Sequence, residues 1–115
     1  MLMIRVATRN KDILIIDISK HVTNINQKDK QYELICAGIS AISIGLANAI
    51  EEICPGQCEY DINENPNVDS SSNHVIIKVK QNDAKLQTIL NTGLCQLKTV
   101  CESYPNYIDL KITEV

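Results

Sequence analysis

The stretch "ELICAGISAISIGLANAI", residues 33–50, decides how the rest of the chain is read. Seventeen residues from Leu34 to Ile50 carry no charge. A membrane span needs about 20 strongly apolar residues. This run is shorter and contains Ser40, Ser43, Asn48 and two glycines, so a helix buried in a soluble domain fits better. Ile35, Ile39, Ile42, Leu46, Ala49 and Ile53 recur at helical spacing. Ala37, Gly38, Ala41 and Gly45 offer small surfaces where a sheet or second helix can approach, and Pro55-Gly56 ends the helix. One residue does not follow from packing alone: Cys36, in the first turns of a helix that starts near Lys30 to Glu33.

On the N-terminal side, "MLMIRVAT" (1–8) alternates, with Leu2, Ile4 and Val6 on one face. After a polar turn around Arg9 to Lys11, "DILIIDI" (12–18) is apolar on both faces and reads as a central strand. The two form a hairpin. A polar loop, "SKHVTNINQKDKQ" (19–31), leads into the helix; loops of this length are often functional. On the C-terminal side, "QCEYDI" (57–62) is a short strand and "NENPNVDSSSN" (63–73) a polar loop. "HVIIKVK" (74–80) is a strand with Val75, Ile77 and Val79 on one face. A second helix runs from Asp83 on Leu86, Leu90, Leu94, Leu97 and Cys101 until Pro105 stops it. "YIDLKITEV" (107–115) alternates Ile108, Leu110 and Ile112 as the last strand. The order ββαββαβ predicts one α+β domain over residues 1–115, a mixed β-sheet covered by two helices.

Composition narrows the function. A net charge of −3 argues against direct nucleic-acid binding. Residues 51–72 hold six acids and no Lys or Arg, the pattern of a solvated acidic edge. The five cysteines follow no secretory leader, so free thiols in a reducing cytoplasm are expected. Cys54 and Cys58, like Cys95 and Cys101, have poor zinc spacings, and only two histidines exist to complete a site. These four cysteines read as small hydrophobic residues, and no metal, cofactor or membrane partner is expected.

Cys36 reads differently. Free N–H groups and the positive dipole end at a helix start favour a thiolate and can serve as an oxyanion hole. A thiolate nucleophile needs a base. His74 opens a half-exposed strand and reads as solvent-facing; His21 ends the central strand and opens the loop leading to Cys36.

The chain resembles the Prp family, bacterial ribosomal-processing cysteine proteases. Members have Gly-His-Ala at a strand end, a loop, then Asp-Ile-Val-Cys-Ala-Ala/Gly-Val-Ser-Ala-Leu. Here Lys20-His21-Val22 is followed by Glu33-Leu34-Ile35-Cys36-Ala37-Gly38-Ile39-Ser40-Ala41-Ile42. The family's closing Glu-x-Tyr-Pro-x-Tyr is matched by Glu102 to Tyr107. The resemblance implies a cysteine endopeptidase with His21 as general base and Cys36 as nucleophile. Its implied substrate is the N-terminal extension of large-subunit ribosomal protein number twenty-seven, and its implied assembly a homodimer. An implied aromatic segment before the cut would need an apolar wall, which Val22 and Ile25 of the loop can supply. The loop is expected to be mobile without substrate and to close over it. Glu33 either orients His21 or begins the helix, where an acid suits the dipole; Ser40 either bonds near the site or back to its own helix. The alternatives are a non-catalytic ribosome-associated binding module of the same fold and a thiol redox or metal-binding protein. Alkylation rates of Cys36 test the first, and metal content of the purified protein the second.

Overall fold

A computed structural model describes residues 1–20, 30–64 and 73–115 of the chain. The first hairpin pairs β1 (Leu2–Arg9) with β2 (Asp12–Lys20). Its two turn residues, Asn10 (φ 51°) and Lys11 (φ 72°), both take left-handed backbone, the geometry that matches strand twist in a two-residue connection. Then come α1 (Lys30–Ile53), β3 (Cys58–Asn63), β4 (His74–Val79), α2 (Ala84–Ser103) and β5 (Ile108–Glu114). The expected ββαββαβ order is therefore observed.

The five strands form one sheet in the order β3-β4-β2-β1-β5. Only β1 and β5 run parallel; the other neighbours are antiparallel, so the sheet is mixed. The doubly apolar β2 occupies the centre, as its sequence requires. One sheet face carries Leu2, Ile4, Val6, Ile16, Ile18, Val75, Ile77 and Ile108 into a single core with both helices. α1 packs over β3 and β4, and α2 over β2 and β5. Among the described residues the opposite face carries no helix and holds polar cross-strand pairs, including Arg5 to Asp109 (3.0 Å) and His74 to Asp61 (3.0 Å).

α2 begins with Asp83 as N-cap, its carboxylate accepting from the Leu86 amide at 2.8 Å. One turn in, buried Gln87 clamps the helix to β2. Its Oε1 accepts from the Ile13 amide (2.8 Å), and its Nε2 donates to the Ile13 carbonyl (2.9 Å). This clamp satisfies both backbone groups of a residue just beyond the β1–β2 irregularity at Ala7/Thr8.

The stretch from Leu34 to Ile50 is helical throughout, within a 24-residue α1 that is long and apolar enough to cross a membrane by length and composition. Ile35, Ile39, Ser43, Leu46, Ala47 and Ile50 are its buried residues, whereas Leu34 and Ile53 are exposed. Two expectations need correction. Ile53, the last residue of α1, is half exposed, and the buried stripe of the helix ends at Ile50. The close approach is not at Gly38 or Gly45, where an added Cβ would meet nothing within 4 Å. It is at Gly93 of α2, where a Cβ would lie 2.5 Å from Leu46 Cδ2. There the two helices touch.

Candidate active site

Cys36 is the seventh residue of α1 and half-buried against the core. The first described turn of α1 spans residues 30–33, a turn before Cys36. The dipole falls off within the first turn. The helix-end stabilisation and oxyanion hole expected for Cys36 would be centred on that turn, about 5 Å of helix rise before the thiol.

What stands one turn before the thiol is Tyr32. Its side chain hydrogen-bonds to Cys36, as residues four apart on a helix can. Burial first, then the Cys36 charge and that hydrogen bond, hold the Tyr32 phenol well above its ordinary pKa, so it stays protonated. Its ring stacks on Tyr107, with centroids 6.1 Å apart and planes 25° from parallel. Tyr107 lies just before β5, its carbonyl accepting from the Leu2 amide at 3.0 Å and its hydroxyl donating to Gln31 Oε1 at 3.5 Å. The start of α1 is thus fastened to the starts of β1 and β5. Met1 also interacts electrostatically with Cys36; burial lowers its amino pKa and the Cys36 charge opposes that.

One turn after Cys36, Ser40 Oγ donates to Glu64 Oε1 at 3.3 Å, joining α1 to the residue that follows β3. The serine that bonds back to its own helix is Ser43, whose Oγ donates to the Ser40 carbonyl at 3.2 Å. Glu33 is exposed in the first turn of α1. His74 sits on the uncovered face with Asp61, on the opposite side of the sheet from the helices. His21, Val22 and Ile25, with most of the loop expected to close over substrate, lie outside the described residues. The acidic edge expected over 51–72 is exposed at Glu51, Glu52, Glu59 and Asp61, whereas Glu64 is half-buried and engaged by Ser40.

All five cysteines are free thiols. Cys54 and Cys58 are buried at the far end of α1. Burial, then Glu51, then Cys54 push the Cys58 thiol up to about 11. Cys101 is also raised, chiefly by burial. Among the described residues no group of three or more His, Cys, Asp and Glu is placed to hold a metal ion. A groove of about 540 Å³ runs between the helices, lined by Ala41, Gly45 and Ala49 opposite Thr88, Thr92 and Gly93; Cys36 does not line it.

Tyr32 has no place in the sequence reading, Tyr107 enters it only as the end of the Glu-x-Tyr-Pro-x-Tyr match and the start of the last strand, and Glu64 only as one of six acids over residues 51–72. The i to i+4 spacing of Tyr32 and Cys36 was there to be read, but it equally describes two core residues. Tyr107 and Glu64 reach the site only through tertiary structure.

A family model described as cysteine protease Prp matches residues 1–109. Among solved structures, the chain is similar to the ribosomal processing protease Prp from S. aureus in complex with a covalently linked product peptide. The two are 25% identical with a TM-score of 0.73, covering 98% of this chain and 100% of that one. The same protease with a substrate peptide gives 24% identity, a TM-score of 0.75 and the same coverage. SMU.848 from Streptococcus mutans shares the fold, with a TM-score of 0.81 at 18% identity, covering 100% of this chain and 96% of that one. Among curated proteins none matches the chain.

Proposed function

The chain belongs to the cysteine protease Prp family, and from that premise we propose that it is a cysteine endopeptidase that removes the N-terminal extension of large-subunit ribosomal protein number twenty-seven. The observation that carries the reading is the family match over residues 1–109, with a half-exposed Cys36 on the first long helix. The S. aureus relative, a ribosomal processing protease described with a covalently linked product peptide, supports covalent catalysis on a ribosomal protein.

His21 takes the Cys36 proton and the thiolate attacks the scissile carbonyl. The tetrahedral adduct collapses, His21 gives its proton to the leaving amine, and the N-terminal fragment is left as a thioester on Sγ. His21 then deprotonates water, which attacks the thioester carbonyl. The C–S bond breaks, the carboxylate product leaves and the thiol is restored. Val22 and Ile25 supply an apolar wall for aromatic residues before the cut, and Glu33 supports the helix start. The enzyme works as a homodimer in the reducing cytoplasm, a setting that suits five free thiols.

The test is incubation of the purified protein with the extended ribosomal protein, followed by mass spectrometry. One cut within the extension, just after its aromatic residues, is expected. An intact substrate after prolonged incubation at neutral pH would leave the non-catalytic binding module as the better reading.

A further inference from the structure

We propose that Tyr32 is a catalytic residue of this protein: its hydroxyl donates a hydrogen bond to the Cys36 thiolate and holds the nucleophile ionised and in place. The inference rests on the peptidase reading and adds to it a group other than the Cys–His pair.

Three observations carry it. Tyr32 and Cys36 lie four residues apart on α1, so both side chains cover the same strip of helix surface, and they are hydrogen-bonded. The ring is pinned from outside the helix by the stack on Tyr107, which is itself tied to Gln31 and, through its backbone, to β1. A phenol held this way keeps its hydroxyl aimed without losing further rotamer freedom when the thiol ionises. Both side chains pack against the core, where a hydrogen bond to a charge counts for more than in water.

Direction follows from chemistry. A phenol kept protonated by burial is a donor, and a thiolate is an acceptor only. A hydrogen bond to the charged form favours that form. Tyr32 neither takes nor releases a proton in the cycle; the thiol proton still goes to the base. The helix-end amides lie a turn away from Cys36, and Tyr32 provides close to the sulfur the stabilisation that they would give at a helix terminus.

The test is the pH dependence of Cys36 alkylation by iodoacetamide, mapped by mass spectrometry, in wild type and Tyr32→Phe. Phenylalanine keeps the ring and its stack and removes only the hydroxyl. The acidic limb should move up by about one to two pH units, the size of a lost hydrogen bond to a charged group, while the melting temperature barely changes. Tyr107→Phe, which cuts the link to Gln31 but leaves Tyr32 its hydroxyl, should leave the limb in place. An unmoved limb in Tyr32→Phe, or an equal shift in both variants, overturns the proposal. In the unaltered protein, the ¹³Cζ resonance of Tyr32 should follow the Cys36 titration, and a flat trace overturns it as well. Alkylation needs no substrate. A shifted limb in a protein that cleaves no ribosomal precursor would sink the peptidase reading alone; active cleavage with an unmoved limb would sink Tyr32 alone.

Discussion

The two ends of α1 carry the same side chain in opposite surroundings. Near the N-terminal end, Cys36 is half-buried, hydrogen-bonded to a tyrosine one turn away and next to the starts of two strands. Just past the C-terminal end, Cys54 lies buried beside Cys58, with Glu51 nearby and no basic residue in the last turn. Helix C-termini disfavour negative charge, and burial disfavours it further. The difference teaches that thiol chemistry here depends on what the helix places beside each sulfur. Cysteine count and spacing do not reveal it.

The largest effect separating the ends should come from Cys36→Ala. It should abolish cleavage while costing about 1 kcal/mol of stability, the scale of a small void. Cys54→Ala and Cys58→Ala should do the reverse, retaining substantial activity and lowering the melting temperature. Activity surviving in Cys36→Ala breaks the comparison outright, and a turnover assay beside a thermal melt reads both halves.

Next in size is the proposed base. His21→Ala should lower turnover by roughly two to four orders of magnitude, the usual scale for a lost general base. His74→Ala removes a ring paired with Asp61 on the uncovered face and should be nearly neutral in the same kinetic assay. A reversal of the two would move the site to the wrong side of the sheet.

A smaller effect sharpens the C-terminal half. The Cys58 thiol is raised to about 11 from its ordinary 9.0. Between these values the unfolded chain has lost a proton that the fold still holds. Stability therefore falls as pH rises through this window, by on the order of 1–3 kcal/mol. Thermal melts from neutral pH to about pH 11 should decline less steeply in Cys58→Ala than in wild type. Parallel slopes would mean that burial of Cys58 does not set its titration.

Much of the architecture was legible because it is periodic. Alternation in β1 and β5, the doubly apolar β2 and the leucine steps of α2 each follow from a local pattern with one physical solution. The strand order is set by which core faces meet over long range, and no local pattern encodes it. Gly38 and Gly45 invited a close approach that the fold places at Gly93, where the Leu46 side chain fills the space a Cβ would need. Cys36 is singled out by its place near the helix start together with the Cys-Ala-Gly-Ile-Ser-Ala block that resembles the family, since a cysteine on an apolar helix is by pattern alone a weak signal. Its neighbours were less legible: Glu64 and Tyr107 reach the α1 surface only after β3 and β5 are laid down. Gln87, a buried amide on an otherwise apolar helix face, answers to two backbone groups on β2 that no pattern in α2 foretells.

The most direct test of the account is one labelling experiment on the folded protein. Limiting iodoacetamide is added near neutral pH and the modified cysteines are mapped by mass spectrometry over time. Cys36 should label first, about tenfold or more ahead of the exposed Cys95. Cys54 and Cys58 should stay unmodified until the protein unfolds. Cys95 labelling as fast as Cys36, or Cys58 labelling in the folded state, would contradict the claim that one end of α1 builds a nucleophile and the other a core.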